Sequence, residues 1–386
     1  MRKAGKSGMW RVAMASLFAL GSANAQQQPP PATPMQLATD APPLAAANQA
    51  WHDAWRANVE AHLRTVAARG TPRDLLVAGW LWPAETDVAH IEAQESFARP
   101  QARAWIQAAY AAARGDDPLV DWTLLHACAA TGATCDRERL LQRLMTADPG
   151  NAELLLMAYQ DAVVRKDSVA ADRYWRTAAE GTHHRSRIND LGALMLSALR
   201  EAPAPSLEPA LAAAMGDDFG LGRAATPQDL AGLTVMSLNT AFAMPALYPI
   251  TQRCRAQVGR LPADALSACK RIYTLLASDE STLLGPRIAL PRLVEWASTD
   301  DERRAAQERL RRSAWVFDNV LRQYQRPVTE RRMRVDYLDR VFRDGELAAM
   351  RDQLQLNGIA TEPPAGWLPD NPEWRSLLPG PLPAAR

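Results

Sequence analysis

Along most of the chain the hydrophobic positions recur every three or four residues, and period-two alternation is missing. That pattern predicts helices and no strand. From about residue 45 onward the chain is rich in Ala, Leu and Arg, all good helix formers. The helix starts are marked by a repeated device. "GTPRDLL" (70–76) and "ATPQDLA" (225–231) each offer a capping threonine, Thr71 or Thr226, then Pro72 or Pro227 at the first helical position, then Asp74 or Asp229 at the third. "TDDE" (299–302) is a third start, with Glu302 at the capping-box position behind Thr299. Gly115, Gly181, Gly259 and Gly345 fit stops or turns between helical runs. The expected fold is therefore all-α, built from antiparallel helical hairpins.

The middle of the chain suggests a repeat. "DPLVDWTLLHA" from Asp117 and "DPGNAELLLMA" from Asp148 both run Asp-Pro, a few residues, then an apolar cluster ending in Ala, and "TPRDLLVAG" from Thr71 is a looser version. The prolines are offset by 46 and 31 residues, within the range of two-helix repeats. In the clearest unit, 151–180, Leu154, Leu155, Ala158 and Ala162 share one helical face, and Ala171, Trp175 and Ala178 another. The stretch "DPGNAELLLMAYQDAVVRKDSVAADRYWRTAAE" resembles a degenerate tetratricopeptide unit. Ala171, Trp175 and Ala178 match that family's small–aromatic–small spacing, and Leu155 its bulky first-helix position. Tyr159 stands where a small residue is usual, and Ala162 where an aromatic is usual. The resemblance covers 33 residues well and about 110 loosely, and implies hairpins that need neighbours to bury their second face. Two architectures follow: a tetratricopeptide-like α-solenoid, or an irregular helical array with one repeat-like hairpin.

The two ends differ from the middle. Residues 1–25 combine a basic stretch (Arg2, Lys3, Lys6, Arg11), a short apolar run and "ANA", the pattern of a secretory signal cleaved after Ala25. Residues 26–44 read as a Pro/Gln-rich disordered spacer, 45–360 as the helical domain, and 361–386 as a tail with seven prolines, Trp367 and Trp374. The tail is expected to be extended and pinned by its two indoles, with packing along a groove of its own chain favoured over donation to a partner. The whole chain carries 44 basic and 43 acidic residues, and removing residues 1–25 leaves 40 against 43. A near-neutral exported chain gives no case for nucleic-acid binding. After residue 25 nothing is long and apolar enough to predict a membrane span.

Export also bears on the four cysteines, Cys128, Cys135, Cys254 and Cys269. It favours disulfides over free thiols. On one continuous helix Cys128 and Cys135 would stand roughly 10 Å apart, too far for a bridge. "ATGAT" between them can break the helix, with Gly132 ending one helix and Thr134 beginning the next. "GRLP" (259–262) plays the same part between Cys254 and Cys269. The favoured pairing is Cys128–Cys135 and Cys254–Cys269, each stapling one hairpin by about 2.5–3 kcal/mol. The competing reading, zinc on His126, Cys128 and Cys135, lacks a fourth ligand at metal-site spacing, so no metal or other cofactor is expected.

Catalytic motifs are sparse. The six histidines (His52, His62, His90, His126, His183 and His184) form no HExxH and lie near no GxSxG or phosphate loop. His183 and His184 follow Gly181 past a predicted helix end, where solvent exposure is expected. In "AQESFARP", Glu95-Ser96-Phe97 resembles the catalytic glutamate motif of lytic transglycosylases, which would make Glu95 an acid/base acting on peptidoglycan. The Gly-Leu-Met-Gln segment that follows in that family is replaced by "QARAWIQ". The run 303–343 holds twelve arginines against five acids, with Leu310, Trp315, Phe317 and Leu321 available for burial; a face laced with ion pairs is favoured over one for anionic lipid or glycan. The function expected is an exported, periplasmic scaffold binding an envelope protein or peptide on a concave helical face. The alternative is a peptidoglycan-acting enzyme using Glu95.

Overall fold

The computed structural model describes residues 38–40, 42–82, 100–242, 247–255, 262–326, 330 and 332–379. They hold seventeen α-helices, and their single β contact is an isolated bridge between Asn151 and His183. The signal-like residues 1–25, the start of the spacer, His90 and Glu95 lie outside the described residues.

The first run comprises α1 (Pro42–Ala68), α2 (Pro72–Leu81), α3 (Pro100–Ala112), α4 (Pro118–Thr131), α5 (Arg137–Ala147), α6 (Ala152–Val164) and α7 (Ser168–Ala179). Each packs on the next in sequence, and α2 also touches α4. The chain then continues as α8 (Ile188–Glu201), α9 (Pro209–Asp218), α10 (Pro227–Phe242) and α11 (Leu247–Cys254). Helix α8 does not extend the row. It turns back onto α2 and α4, with α10 and α15 (Tyr337–Asp344) on its other side. The row resumes with α12 (Ala263–Ser278), which packs on α7, followed by α13 (Leu284–Glu295) and α14 (Asp300–Tyr324). Helix α16 (Glu346–Leu356) lies against α14, and the six-residue α17 (Pro372–Leu377) against α13.

Local chemistry explains most boundaries. Thr71 and Asp117 cap α2 and α4 ahead of Pro72 and Pro118. Thr226 and Asp229 bond reciprocally, the Thr226 hydroxyl accepting from Asp229 N (3.3 Å) and the Asp229 carboxylate from Thr226 N (2.8 Å). Glu302 N donates to Thr299 Oγ1, while the Glu302 carboxylate accepts from Ser298 N. Helix α1 buries Trp51, Trp55, Val59, Leu63 and Val66, one stripe with three- and four-residue steps.

Several expectations are corrected. The spacer is shorter than 26–44: a 3₁₀ turn at Ala38–Asp40 is tied down because Ala38 N and the Thr39 hydroxyl both donate to Asp218, and α1 begins at Pro42. Gly132 does end α4 in a left-handed turn, but Asp136, not Thr134, caps α5 by accepting from Arg139 N. Asp148 closes α5, and Asn151 caps α6. The tail is not wholly extended, because Asn151-like capping by Asn371 and Pro372 at the first position start α17.

The apolar interior has two large parts. Helices α1–α5, α8–α10 and α15 share one, and α7 and α11–α13 with the first half of α14 share the other. Helix α6 serves both, giving Leu154, Met157 and Ala158 to the first and Leu155, Leu156, Tyr159 and Ala162 to the second. A third, smaller cluster joins Val316 and Val320 of α14 to Leu347, Met350 and Leu354 of α16. Leu191 of α8 is fully buried where α8 meets the row. Replacing Leu191 with Ala is expected to cost about 2–5 kcal/mol in urea unfolding; a loss below 1 kcal/mol would mean that α8 is not packed as described.

Candidate functional site

In helical-repeat arrays the first helices of successive hairpins line the inner face, the usual place for a ligand. Here α8 packs across α2 and α4. Leu191, Met195, Leu196 and Leu199 of α8 share a core with Leu124 of α4 and Leu154 and Met157 of α6. The sites left for chemistry are a polar seam beside α6 and a charged cleft at the start of α2 and α4.

The seam begins at the N-terminus of α6. The Asn151 side chain accepts from Glu153 N and Arg185 N (both 3.1 Å) and donates to Asp148 and Arg185 O (both 3.0 Å), so its whole amide is used. Ala152 N donates to His183 O (2.8 Å), and Thr182 N to Gly150 O (3.0 Å). These bonds pin the 182–187 loop against α6. The pinning overturns the expectation of solvent exposure for His184, while His183 keeps 40% of its side chain exposed. His183 Nε2 pairs with Asp148 at 3.0 Å, and His184 Nδ1 with Asp279, the C-cap of α12, at 2.7 Å. His184 and Asp279 keep only 12% and 10% of their side chains exposed.

Glu153 completes the cluster. It accepts from the Trp122 indole N–H at 3.2 Å, and Ser186 donates to it as well. Burial pushes its pKa up to about 7, against the opposing pull of His184; Asp279 adds to the rise. Burial also works against the Asp279 carboxylate, but hydrogen bonds from His184 and Ser281 hold it below the usual range. Two carboxyls and an imidazole therefore share a space where Asp279 stays ionised and Glu153 holds its proton near neutrality. The arrangement can store and release a proton. Just beyond, Ser281 O accepts from Asn189 and from Glu346 N, and Glu346 accepts from Leu283 N. Burial raises the Glu346 carboxyl too.

The cleft encloses about 220 Å³ between Thr71, Arg73, Asp116, Asp117 and Asp121, with Gly115 at its floor. Arg73 pairs with Asp117, and Arg143 pairs with Asp121 while donating to Ala113 O. Asp121 is only 2% exposed, and burial raises its carboxyl despite Arg143. Three aspartates against two arginines leave Asp116, on the exposed rim, as the carboxylate in excess. Such a cleft suits a basic side chain or an amino group. No lining residue belongs to the seam cluster.

The other residues singled out in the sequence take structural places. The sulfurs of Cys128 and Cys135, and of Cys254 and Cys269, stand at disulfide distance with Cα separations of 6.1 and 5.9 Å. Both pairs fit an oxidising compartment outside the cytoplasm. His126 lies 4.6 Å from the Trp122 ring, where burial, helped by Arg137, pushes its pKa down to about 4. His52 sits edge-on against Trp51, and burial lowers its pKa against the pull of Asp53. His62 is half-buried on α1. Among the described residues no group of His, Cys, Asp and Glu has metal-site geometry, and no helix is long and apolar enough to cross a membrane. The arginines of 303–343 are largely paired, Arg312 with Glu308 and Glu362, Arg322 with Asp370, Arg340 with Asp336 and Asp352. Sequence reasoning missed Glu153 and Asp279; an acid at the second position of a helix reads as an ordinary complement to the helix dipole. No protein-family model, curated protein or solved structure matches the chain.

The seam predicts a pH effect. With its folded pKa raised from 4.5 to about 7, Glu153 contributes stability that is present below about pH 4.5 and lost as pH rises through 7. His126, lowered from 6.5 to about 4, acts in the opposite sense, its contribution lost as pH falls from 6.5 toward 4. Glu153→Gln is expected to stabilise the protein by about 1–3 kcal/mol at pH 8 and by little at pH 5. Chemical unfolding at both pH values checks this, and an equal gap at the two would refute a titrating Glu153.

Proposed function

We infer that this is an exported, periplasmic protein of tetratricopeptide-like build, with its signal cleaved after Ala25, acting as a scaffold for a protein or peptide of the cell envelope. The observation that carries this reading is the serial packing of α1–α7, each helix on its neighbour. The first residues of α4 and α6, Pro118 and Ala152, are 34 residues apart, the length of a tetratricopeptide repeat. The step from Pro72 to Pro118 is longer, 46 residues. The cysteine pairs fit the compartment.

With α8 packed across α2 and α4, we place the partner surface on the rim. The cleft at Asp116 is the best candidate there, since it is sized for one side chain and carries an uncompensated carboxylate. A basic side chain or the amino terminus of a partner would meet Asp116 without displacing the Arg73–Asp117 and Arg143–Asp121 pairs.

The test is site-specific photo-crosslinking of the full chain in its own envelope. A crosslinker replacing Asp116 is expected to trap one discrete protein, whereas one replacing Asp301, 85% exposed on α14, is not. Identical adducts at both positions, or none at Asp116, would remove the cleft as the docking site. Muropeptide release by the purified protein, abolished by Glu95→Gln, would replace the scaffold with the peptidoglycan-enzyme reading.

A further inference from the structure

The C-terminal segment lies over α13 and α14 of its own chain, and the way it is held is unusual for a packed core element. Among the described residues no main-chain hydrogen bond joins 360–371 to the body of the protein; Trp367 N bonds only to Pro364 O within the segment. The groove instead reaches the segment's backbone with side chains. The Trp315 indole N–H donates to Ala360 O at 2.7 Å, and Arg311 to Pro364 O at 3.5 Å. The Asp318 carboxylate accepts from Asp370 N at 2.8 Å, and Gln307 donates to Leu377 O at 2.7 Å. Trp367 packs edge-on against Trp315, with ring centroids 5.1 Å apart, and the Arg287 guanidinium lies over both Phe317 and Trp374. Two ion pairs finish the contact, Arg312–Glu362 at 3.0 Å and Arg322–Asp370 at 2.7 Å.

An indole N–H and other side-chain donors aimed at the carbonyls of a proline-containing strand, beside aromatic rings, are the means by which extended proline-rich ligands are recognised. Pro363, Pro364 and Pro369 have no N–H to offer a partner strand, so main-chain pairing is not available to such a ligand. Donors that address carbonyls do not read sequence. The groove's selectivity comes from Trp315, which takes an indole, and from Arg312 and Arg322, which take two acids eight positions apart.

We propose that the α13–α14 groove is a recognition surface for an extended, proline-containing partner segment bearing a tryptophan and acidic residues, and that residues 360–371 occupy it in cis until such a segment displaces them. This rests on the scaffold reading in taking a protein as partner, but it uses a different surface from the cleft at Asp116.

The probe is a fluorescent synthetic peptide of residues 359–379, added to the full mature chain. In the wild type the tether holds the cis segment at an effective concentration on the order of millimolar, so the probe binds weakly. Glu362→Lys combined with Asp370→Lys loosens the cis segment at side chains 67% and 62% exposed, where folding is not at stake. Trp367→Ala loosens it by a second route. Both variants are expected to bind the probe at least about tenfold more tightly than wild type, and adding Trp315→Ala should abolish the gain. Circular dichroism and thermal melting establish that each variant is folded, and the charge-reversed variant decides if Trp367→Ala is not. Folded variants that bind no tighter than wild type, or a gain that survives Trp315→Ala, overturn the proposal. An intact adduct at Asp116 in that case leaves the scaffold reading standing; loss of both removes it.

Discussion

Helix α6 has apolar residues on opposite faces, and most of the architecture follows from having to bury both. A helix that is hydrophobic all round must be covered all round. Leu155, Leu156 and Tyr159 face α7 and the second core, with the Tyr159 and Trp175 rings 5.0 Å apart under Arg253. Leu154, Met157 and Ala158 belong to the first core, to which α8 also contributes. After α7 the chain turns back, α8 packs on α2 and α4, and α12, not α8, becomes the next neighbour of α7. The returning loop has to cross the N-terminus of α6, and its backbone finds partners there in Gly150, Asn151 and Ala152. Its side chains come along. His184 and Ser186 arrive beside Glu153 because the loop that carries them is fixed by the burial of α6.

Electrostatic terms of different worth divide between interior and surface. The pairs along α14 are mostly exposed, and exposed pairs contribute at most about 1 kcal/mol each. Their main effect is to neutralise a run that would otherwise be strongly basic. The Arg143–Asp121 pair is another matter, since Asp121 is nearly inaccessible and removing either partner would strand a charge in low dielectric. The same reasoning applies at the seam, where Glu153 avoids that penalty by holding its proton and Asp279 avoids it through His184.

What was legible in the sequence was local. The caps at Thr71, Thr226 and Thr299 rest on interactions between residues three apart, and each forms as the spacing implies. The pairing of the cysteines is likewise local, with separations of 7 and 15 residues. The recurring Asp-Pro does not take the same place twice: Asp117 caps α4, whereas Asp148 closes α5 and Asn151 caps α6. His184 was not legible because its partner is 95 residues away. The packing of α8 between α2, α4, α10 and α15 did leave a trace. "INDLGALMLSAL" buries Ile188, Leu191, Gly192, Met195, Leu196, Ala198 and Leu199, a face too wide for the edge of a row and suited to a helix clasped between neighbours.

The same contrast between deep and shallow anchoring sorts the molecule into parts that hold shape and parts that can yield. Local opening costs least where few apolar contacts are lost. Trp374 and Leu378 belong to the second core, so the end of the tail is bound as firmly as a core helix. Between them and α16 Trp367 and Leu368 rest, partly buried, against the edge of the second core, and the rest of the segment is held by a few side-chain bonds to its carbonyls and two exposed ion pairs. An opening of 360–371 would leave the packing of α13 on α14 intact, because that packing is made by Ala289, Leu290, Val294, Ala306 and Leu310 and not by the tail. The proposed exchange depends on this shallow anchoring of 360–371 along α14, through Trp315, Arg312 and Arg322.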